Sequence, residues 1–400
     1  MPLSGIRVIE LGQLVAGPVL GQLLGDLGAE VIKIERPGEG DEYRRYGPAF
    51  LHDAEGQRTG ESGGFLAVNR NKRSLAVNFA QEEGRRIIRA LAAKSDVVIE
   101  NYRTGTLARH GLDEAALRAL NPRLIYLSIT GFGQDGPYAR RPGTDGVFQA
   151  MSGLMHATGD PDGAPQKTGT PIADFVTGLY GAVGVISALL HRERGAEGQG
   201  IDLALLDCAI AAMAMRSGEH FLGDGIARTG NRTAGVAPGE LFRCADGFIN
   251  IQAGFDHHFS RLCAAIGRPE LADDPHYASR DARVANQAAL ADAINAALGG
   301  QPVAYWYERL AAEEIICSPV YAFGQALDDP QVKSRNLRRT VAHPKAGPIE
   351  IIANPIRFSD TPIGDYRCAP QLGEGTDEIL SALLDYTPEQ ISALRAAGTI

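Results

Sequence analysis

The chain has 400 residues, more than one hydrophobic core usually fills, so we expect two domains. Hydrophobic residues make up 44% and charged residues 22%, which is typical of a folded globular protein and excludes a disordered or fibrous chain. Lys and Arg number 39 against 48 Asp and Glu, and the resulting net charge of -9 argues against a dedicated nucleic-acid binder.

The cysteines and the N-terminus indicate where the protein works. The five cysteines are widely spaced and none belongs to a Cys-x-x-Cys unit, which predicts no redox centre and favours a reducing, cytoplasmic compartment. The N-terminus MPLSGIRVIELG lacks the pattern of a secretory signal peptide. The most apolar run, Leu179 to Leu190, is shorter than the ~20 residues that a bilayer requires, so we expect no membrane span.

The first third of the chain alternates β-branched runs with helical patterns. RVIEL, GPVLGQLLGDLG and AEVIKIE predict a β-α-β unit, and the alternation continues through RSLAVNF, EEGRRIIRALAAK, DVVIEN, DEAALRALN and RLIYLSIT. This order predicts an α/β fold in which helices cover both faces of a parallel sheet. Ligands of such sheets bind at the carboxyl ends of the strands.

Two apolar helices are predicted next. TPIADFVTGLYGAVGVISALLHRERG predicts a long helix entered through Pro171. Gly178, Gly181 and Gly184 recur in it at every third residue, and each costs up to ~1 kcal/mol relative to Ala in a helix interior. We therefore expect another backbone to approach this helix closely. IDLALLDCAIAAMAM predicts the second apolar helix.

Composition divides the chain into four parts. Residues 1–200 form the predicted α/β domain, and 201–239, with its Gly- and Arg-rich GDGIARTGNRTAGVAPGE, form a linker helix and loop. Residues 240–323 combine the hairpin-like ELFRCADGFINIQAG with helical patterns, which predicts a smaller α+β domain. Residues 324–400 return to strand and helix patterns.

Two motifs suggest ligands but lack the necessary context. The string from Gly131 to Gly136 matches the dinucleotide fingerprint G-x-G-x-x-G, but Pro137 follows at once and no helix is predicted there. A turn-rich loop is favoured over an NAD site. His257 and His258 have no further ligand at a recognisable spacing, so no metal site is predicted.

Asp174 is an acidic residue in the first turn of the long apolar helix. A helix N-terminus favours the ionised carboxylate by ~0.3–1 kcal/mol, which would preserve Asp174 as a nucleophile against desolvation. Asp near a helix start is also a common cap, and the residues alone favour that role.

Basic residues follow several predicted strands despite the acidic total. Each one alone is typical of a solvated surface, and their convergence at the strand ends makes a phosphate site about equally favoured. They are Arg36, Arg44, Arg45, Lys72, Arg73, Arg103, Arg140 and Arg141.

The ordered motifs resemble those of the class III CoA-transferase family over nearly the whole chain. They are LSGIRVIELGQLVAGPVLGQLLGDLGAEVIKIERPGEGD, NRNKRSLAVNF, DVVIENYRTGTLARHGL, LIYLSITGFGQDGPYARRPGTD, TPIADFVTGLYG, GQGIDLALLD and NPIRFS. The resemblance implies two-domain subunits in an interlocked homodimer. Its Rossmann-like large domain would bind CoA and would be completed by residues 324–400.

The resemblance implies that Asp174 is the nucleophile of a CoA transfer from an acyl-CoA to a small carboxylic acid. Its carboxylate would carry CoA as a thioester, so CoA is a substrate, and neither a permanent cofactor nor a metal is implied. Asp145 would position Asp174 or polarise an intermediate, and a turn or capping role for it is equally open.

A CoA site across the strand ends is implied as well. Val15 and Ala16 would line its thiol end. Arg141 and Arg232 are also candidates to pair with the second carboxylate of a dicarboxylic acid, through the bidentate geometry of arginine. The remaining CoA-site residues implied by the resemblance are Arg36, Lys72, Arg73, Asn101, Arg103 and Arg141.

Two other classes of protein stay open beside the transferase. The related acyl-CoA racemases use a histidine where this chain has Thr144, and threonine cannot serve as that base near neutral pH, although His156 is a candidate from elsewhere. A non-catalytic or NAD-binding α/β protein would bind its ligand without covalent labelling. We expect a transferase.

Overall fold

The computed structural model describes residues 1–223 and 225–400. These form two units. Unit 1 contains Met1–Leu154, Lys167–Gly218 and Lys333–Ile400, and unit 2 contains Met155–Gln166 and the described part of Glu219–Val332. The boundaries predicted at residues 200, 239 and 323 stay predictions, and Asp224, inside the predicted linker, lies outside the described residues.

The elements are numbered in chain order. The strands are β1 (Arg7–Leu11), β2 (Glu30–Glu35), β3 (Phe50–His52), β4 (Arg58–Ser62), β5 (Lys72–Ala76), β6 (Val97–Glu100), β7 (Ile125–Thr130), β8 (Gly200–Ala204), β9 (Gly239–Arg243), β10 (Phe248–Gln252), β11 (Ile316–Pro319), β12 (Arg338–His343) and β13 (Gly347–Ile352). The helices are α1 (Ala16–Asp26), α2 (Gly63–Val68), α3 (Glu82–Ala93), α4 (Glu114–Leu120), α5 (Asp145–Met151), α6 (Leu154–Ala157), α7 (Ile172–Glu193), α8 (Leu205–Ala211), α9 (Ala214–Leu222), α10 (Asp256–Ala265), α11 (Glu270–Asp273), α12 (Arg280–Ala285), α13 (Gln287–Leu298), α14 (Val303–Ala312), α15 (Phe323–Asp328), α16 (Pro330–Ser334), α17 (Thr376–Leu384) and α18 (Pro388–Ala396).

A six-stranded parallel sheet in the order β5, β2, β1, β6, β7, β8 forms the centre of unit 1. The central strands β6 and β7 are buried along their whole length, as expected for strands covered on both faces. The side chains of α1, α5, α7 and α8 pack in one core cluster, and those of α3, α4, α17 and α18 pack in another. The predicted α/β fold with a parallel sheet is confirmed.

The edge strand β8 replaces the start of a predicted helix. IDLALLDCAIAAMAM was expected to be helical throughout, but Gly200–Ala204 pair in parallel with β7 and α8 begins only at Leu205. The helix prediction is therefore wrong for these first residues. Ile201 and Leu203 are partly buried and Asp202 is exposed, so a period of two was present, but the apolar residues that follow obscured it.

Unit 2 contains a three-stranded antiparallel sheet in the order β11, β10, β9. The hairpin predicted over ELFRCADGFINIQAG corresponds to β9 and β10, whereas β11 was not predicted from the sequence. Phe242, Phe259 and Trp306 contribute large buried side chains to the core of this unit. The unit is therefore α+β, as the sequence indicates.

Glycines allow α7 to lie directly against α1. A Cβ atom at Gly178 would stand 2.7 Å from Val19 Cγ1 and 3.4 Å from the Ala16 carbonyl oxygen, and one at Gly181 would stand 2.9 Å from Leu20 Cδ2. At Gly184 the nearest atoms, on the Ile201 side chain, are 3.7 Å away. The predicted approach of another backbone is therefore confirmed at Gly178, whereas Gly181 is close to the Leu20 side chain and Gly184 has no close neighbour.

Helix α7 has 22 residues and meets the length and hydropathy criteria for a membrane span, although no such segment is expected from the sequence. A core helix of a soluble protein meets the same criteria. Ala173, Val185, Ala188 and Leu189 of α7 lie in the core of unit 1, so this single helix is weak evidence for a membrane protein.

The environments of Gly178 and Gly184 predict opposite effects of an alanine substitution on the free energy of unfolding. Gly178→Ala should lower the free energy of unfolding by about 1–3 kcal/mol, because the new methyl group overlaps Val19. Gly184→Ala should leave it unchanged or raise it by up to about 1 kcal/mol, because alanine favours the helix and the space is free. Urea unfolding of both variants measures the difference, and equal effects would contradict this account of α7 packing.

Candidate active site

A cavity of about 810 Å³ opens in unit 1 at the carboxyl ends of β1, β6 and β7. This is the edge of a parallel sheet where ligands bind. The segments that follow these strands supply part of its lining, and α5, the segment before α7 and the first residues of α7 and α8 supply other parts. The lining includes Leu14, Val15, Ala16, Tyr43, Tyr46, Asn101, Tyr102, Arg103, Thr130, Gly131, Arg141, Thr144, Asp145, Phe148, Lys167, Thr168, Pro171 and Asp174.

Asp174 lies in the first turn of α7 and lines this cavity. Burial raises the pKa of its carboxyl, and the nearby charge of Asp145 raises it further, to about 7. The sequence led us to expect that the helix N-terminus would hold Asp174 ionised. Burial and the neighbouring carboxylate outweigh that effect.

Asp145, at the start of α5, caps the N-terminus of α7, whose own N-cap residue supplies no capping side chain. Its Oδ1 accepts hydrogen bonds from the backbone N–H groups of Ala173, at 2.8 Å, and Asp174, at 3.4 Å. The residue at the N-cap position of α7, Pro171, makes no side-chain capping bond. The helix is therefore capped by Asp145, so Asp174 is not needed for that role.

Asn101 fixes the loop that follows β1. Its Nδ2 donates to the Gln13 carbonyl and its Oδ1 accepts from the Gln13 N–H, both at 2.8 Å. The next residue, Leu14, has a left-handed backbone with φ of 63°, and its N–H donates to Asp41. These bonds determine where Val15 and Ala16 line the cavity.

Three cations line the cavity without a carboxylate partner among the described residues. They are Arg103, Arg141 and Lys167, and the guanidinium of Arg141 lies 3.9 Å from the centre of the Tyr138 ring. The acidic lining residues are Asp145 and Asp174. The excess of unpaired positive charge suits an anionic ligand such as a phosphate or a carboxylate.

Three of the expected CoA-site residues do not line the cavity. Lys72 is fully buried, its ammonium lies 2.8 Å from a Glu10 oxygen, and burial lowers the pKa of the lysine to about 8. Arg73 is paired with Glu30 at 2.8 Å and with a second glutamate on α17. Arg36 is exposed and pairs with Glu39 at 3.3 Å. The structure thus brings together Val15, Ala16, Asn101, Arg103, Arg141, Asp145 and Asp174 but not Arg36, Lys72 and Arg73.

The motifs that suggested other ligands have structural explanations. The segment from Gly131 to Gly136 is a loop with left-handed glycines and opens no helix. A Cβ atom at Gly131 would lie 2.7 Å from the Phe148 ring, so this glycine is required for packing. No group of three or more metal-ligating side chains occurs in residues 1–223 and 225–400.

Several residues that the structure places at the site were not predicted from the sequence. Tyr43 and Tyr46 line the cavity, and burial together with the charges of Asp174 and Asp41 raises the pKa of Tyr43. In the sequence, the presence of two aromatic residues in the loop after β2 could have indicated these tyrosines. Gln149 was also missed, and its position as a polar amide within the apolar pattern of α5, where it is fully buried, could have indicated it.

Comparisons with known proteins identify the family of the chain. The model of CoA-transferase family III matches residues 3–376. The chain is 41% identical to the succinate–glutarate CoA-transferase of Agrobacterium fabrum over 388 residues, which cover 96% of each chain. It is 39% identical to the acetyl-CoA:oxalate CoA-transferase of Acetobacter aceti over 365 residues, which cover 90% of this chain and 89% of the other. A crystal structure of a CaiB/BaiF family protein from Brucella suis superposes with a TM-score of 0.88 and 41% identity, over 96% of this chain and 99% of that one.

The chain therefore belongs to CoA-transferase family III, the class III acyl-CoA:carboxylate CoA-transferases. The prediction of a transferase is confirmed. The racemase alternative gains no support, since these curated relatives are transferases and Thr144 lines the cavity where that reaction would require a base.

The pairing of two carboxylates predicts how Asp174 titrates. A carbodiimide modifies protonated carboxyl groups, so the labelling of the Asp174 peptide should fall as pH rises, with a midpoint near 7. In Asp145→Asn the midpoint should lie lower, because asparagine can still cap α7 but carries no charge. Peptide mass spectrometry measures the labelling.

The matched control for this titration is Asp135→Asn, on an exposed loop position, which should leave the midpoint unchanged. An unaltered midpoint in Asp145→Asn would show that the Asp145 charge does not act on Asp174.

Proposed function

We propose that this CoA-transferase carries CoA as a covalent thioester on Asp174. This proposal rests on the environment of the Asp174 carboxylate. It lines the cavity, and no described residue donates a hydrogen bond to either of its oxygens, whereas both Asp145 oxygens are engaged. The lone pairs of Asp174 are thus free to attack a bound carbonyl carbon.

The first half-reaction forms the thioester. The Asp174 carboxylate attacks the thioester carbon of the donor acyl-CoA, the carbon–sulfur bond breaks, and a mixed anhydride and CoA thiolate result. The thiolate then attacks the Asp174 carbonyl carbon and expels the donor acid as its carboxylate. No proton is gained or lost in these steps, so no general acid or base is required.

The second half-reaction runs these steps in reverse with a different acid. The acceptor carboxylate attacks the Asp174 thioester, which gives a new anhydride and CoA thiolate. The thiolate attacks the acceptor carbonyl, and the Asp174 carboxylate leaves. One thioester has been exchanged for another, so the chemistry needs no ATP.

The cavity lining fits a CoA thioester. Val15 and Ala16 offer an apolar surface beside Asp174, suited to the thiol end. Arg103 suits the phosphates of CoA, and Arg141 suits a carboxylate. Lys167 adds a third positive charge.

The relatives' names indicate dicarboxylic acids as substrates. One relative transfers CoA between succinate and glutarate and another acts on oxalate, so we propose a dicarboxylic acceptor for this enzyme. Of the two arginines considered for its second carboxylate, Arg232 already pairs with Glu240 at 3.3 Å. Arg141 lines the cavity and has no carboxylate partner among the described residues, so it is the favoured candidate.

A homodimer is also part of this proposal. Four apolar side chains of α7, which we call its outer face, follow each other at helical spacing and stand 38–64% exposed: Leu179, Val183, Ile186 and Leu190. A contiguous apolar stripe of this kind is typical of an interaction surface. We propose that a second copy of the chain covers it, in the interlocked arrangement that the family resemblance implies.

The cysteines support a cytoplasmic location for the proposed enzyme. All five are free thiols, and Cys208, Cys244 and Cys263 are buried. Unpaired cysteines are typical of a reducing compartment.

The thioester mechanism predicts a specific adduct. Incubation with succinyl-CoA alone should add the mass of CoA less water to the Asp174 peptide, and glutarate should discharge it. Asp174→Asn should form no adduct and should lower kcat by at least about 10⁴-fold, as removal of a nucleophile does. Intact-protein and peptide mass spectrometry measure the adduct.

Asp135→Asn is the matched control for this adduct and should label like the wild type. An adduct that persists in Asp174→Asn, or one mapped to another peptide, would overturn the proposed role of Asp174.

The dimer predicts a solution mass of about twice 42.5 kDa by light scattering. Leu179→Glu should dissociate it, because a charge on the outer face of α7 would be buried in the interface. Leu120→Glu on α4 is the matched control, since the two leucines are 54% and 51% exposed. A monomeric wild type, or equal masses for the two variants, would contradict the proposed interface.

A further inference from the structure

Gln149 is a fully buried amide on α5, and the proposed mechanism does not use it. Its neighbours on the same helix include the buried Phe148, and the sequence around it is apolar. A buried amide without partners costs free energy, so its hydrogen bonds show what holds it there.

The Gln149 amide bonds two separate parts of the cavity lining. Its Nε2 donates to Asp145 Oδ2 at 2.5 Å, and its Oε1 accepts from the Thr168 N–H at 2.9 Å. Thr168 lies in the segment that leads into α7 and lines the cavity beside Lys167. One side chain therefore joins α5 to the segment that precedes the nucleophile helix.

Asp145 is held at both oxygens as a result. Oδ2 accepts from Gln149, while Oδ1 accepts from the N–H groups of Ala173 and Asp174. A carboxylate with two such partners has one favourable orientation. Without the amide, Oδ2 would be left in a partly buried environment with no protein donor, which disfavours the charged form or turns the carboxylate away from α7.

We propose that Gln149 is a positioning residue of the transfer reaction: its amide fixes the Asp145 carboxylate against the first turn of α7 and thereby sets the place and the electrostatic environment of Asp174. This inference rests on the proposed role of Asp174 as nucleophile. Gln149 touches neither the substrate nor the reacting atoms in this scheme. It acts through Asp145.

Other groups face Asp174 as well, and none of them is bonded to Gln149. The cavity walls contribute Arg103, Arg141, Lys167, Tyr43, Tyr46 and Tyr102, and helix α8, packed against α7, contributes Asp207 and Cys208. Of the charged groups near Asp174, Asp145 is therefore the one whose orientation the Gln149 amide controls.

The test uses Gln149→Leu, Asp145→Asn and the double variant, with succinyl-CoA and glutarate as substrates. Gln149→Leu should lower kcat by about 10- to 100-fold, the effect of losing one hydrogen bond to a charged group. The midpoint of the acid limb of kcat/KM should fall, as in Asp145→Asn. In the double variant the midpoint should equal that of Asp145→Asn alone, because Gln149 acts only through the Asp145 charge.

Gln22→Leu is the matched control, since Gln22 is another buried amide of unit 1 that accepts a backbone hydrogen bond, from Arg70, away from the cavity. It should leave the midpoint unchanged. If Gln149→Leu does not fold, the unbranched Gln149→Met serves for the same comparison. A wild-type midpoint in a folded Gln149 variant, or a further shift in the double variant, would overturn the inference.

The adduct measurement separates this inference from the proposed function. If Asp174→Asn loses the CoA adduct while Gln149→Leu keeps the wild-type midpoint, only the role of Gln149 fails. If the adduct persists in Asp174→Asn, the proposed nucleophile itself fails.

Discussion

The close packing of α1 against α7 is the constraint on which the site depends. Gly178 and Gly181 let the two helices approach so closely that the Val19 and Leu20 side chains lie where a methyl group on α7 would otherwise be. Both helices begin at the cavity, α1 directly after Val15 and α7 just before Asp174. Two helix N-termini, each with a partial positive charge, therefore face the same space, which favours anionic ligands. This explains why glycines persist in a helix where they lower its intrinsic stability.

A buried charge network holds the loops that complete the cavity. The Lys33 ammonium contacts Glu10 at 2.9 Å, Asp41 at 2.8 Å and a backbone carbonyl after β1. Asp41 in turn accepts from the N–H groups of Leu14 and Tyr43, two residues of the cavity lining. Buried ion pairs add little net stability, but removing one partner costs about 3–5 kcal/mol. The network therefore acts mainly by keeping the loops after β1 and β2 in one conformation.

The sequence predicts features that depend on residues close together in the chain. It does not predict features that depend on contacts between distant residues. Strands β1, β2, β5, β6 and β7 were predictable from their β-branched and apolar runs, whereas the edge strand β8 was not, and Gly178 could be interpreted from its cost within a helix. The charge pairs were not predictable. Lys72 and Arg73 begin β5 and so lie at the amino ends of the parallel strands, and their partners Glu10 and Glu30 come from β1 and β2, whose register only the folded sheet defines. The same holds for the cap of α7, which comes from a residue on another helix.

Asp145 acts on Asp174 in two opposing ways, since it holds the helix that carries Asp174 and also disfavours its ionised form. In the proposed mechanism the second effect has a chemical use. A carboxyl group with a pKa of about 7 is a poorer leaving group than an ordinary acid, whose pKa lies near 4. In the first half-reaction this favours attack of the CoA thiolate on the Asp174 carbonyl carbon, which expels the substrate acid, whereas in the second half-reaction the Asp174 carboxylate itself must leave. Because roughly half of such a group is ionised at neutral pH, the enzyme keeps a nucleophilic carboxylate while the raised pKa favours formation of the enzyme thioester in the first half-reaction.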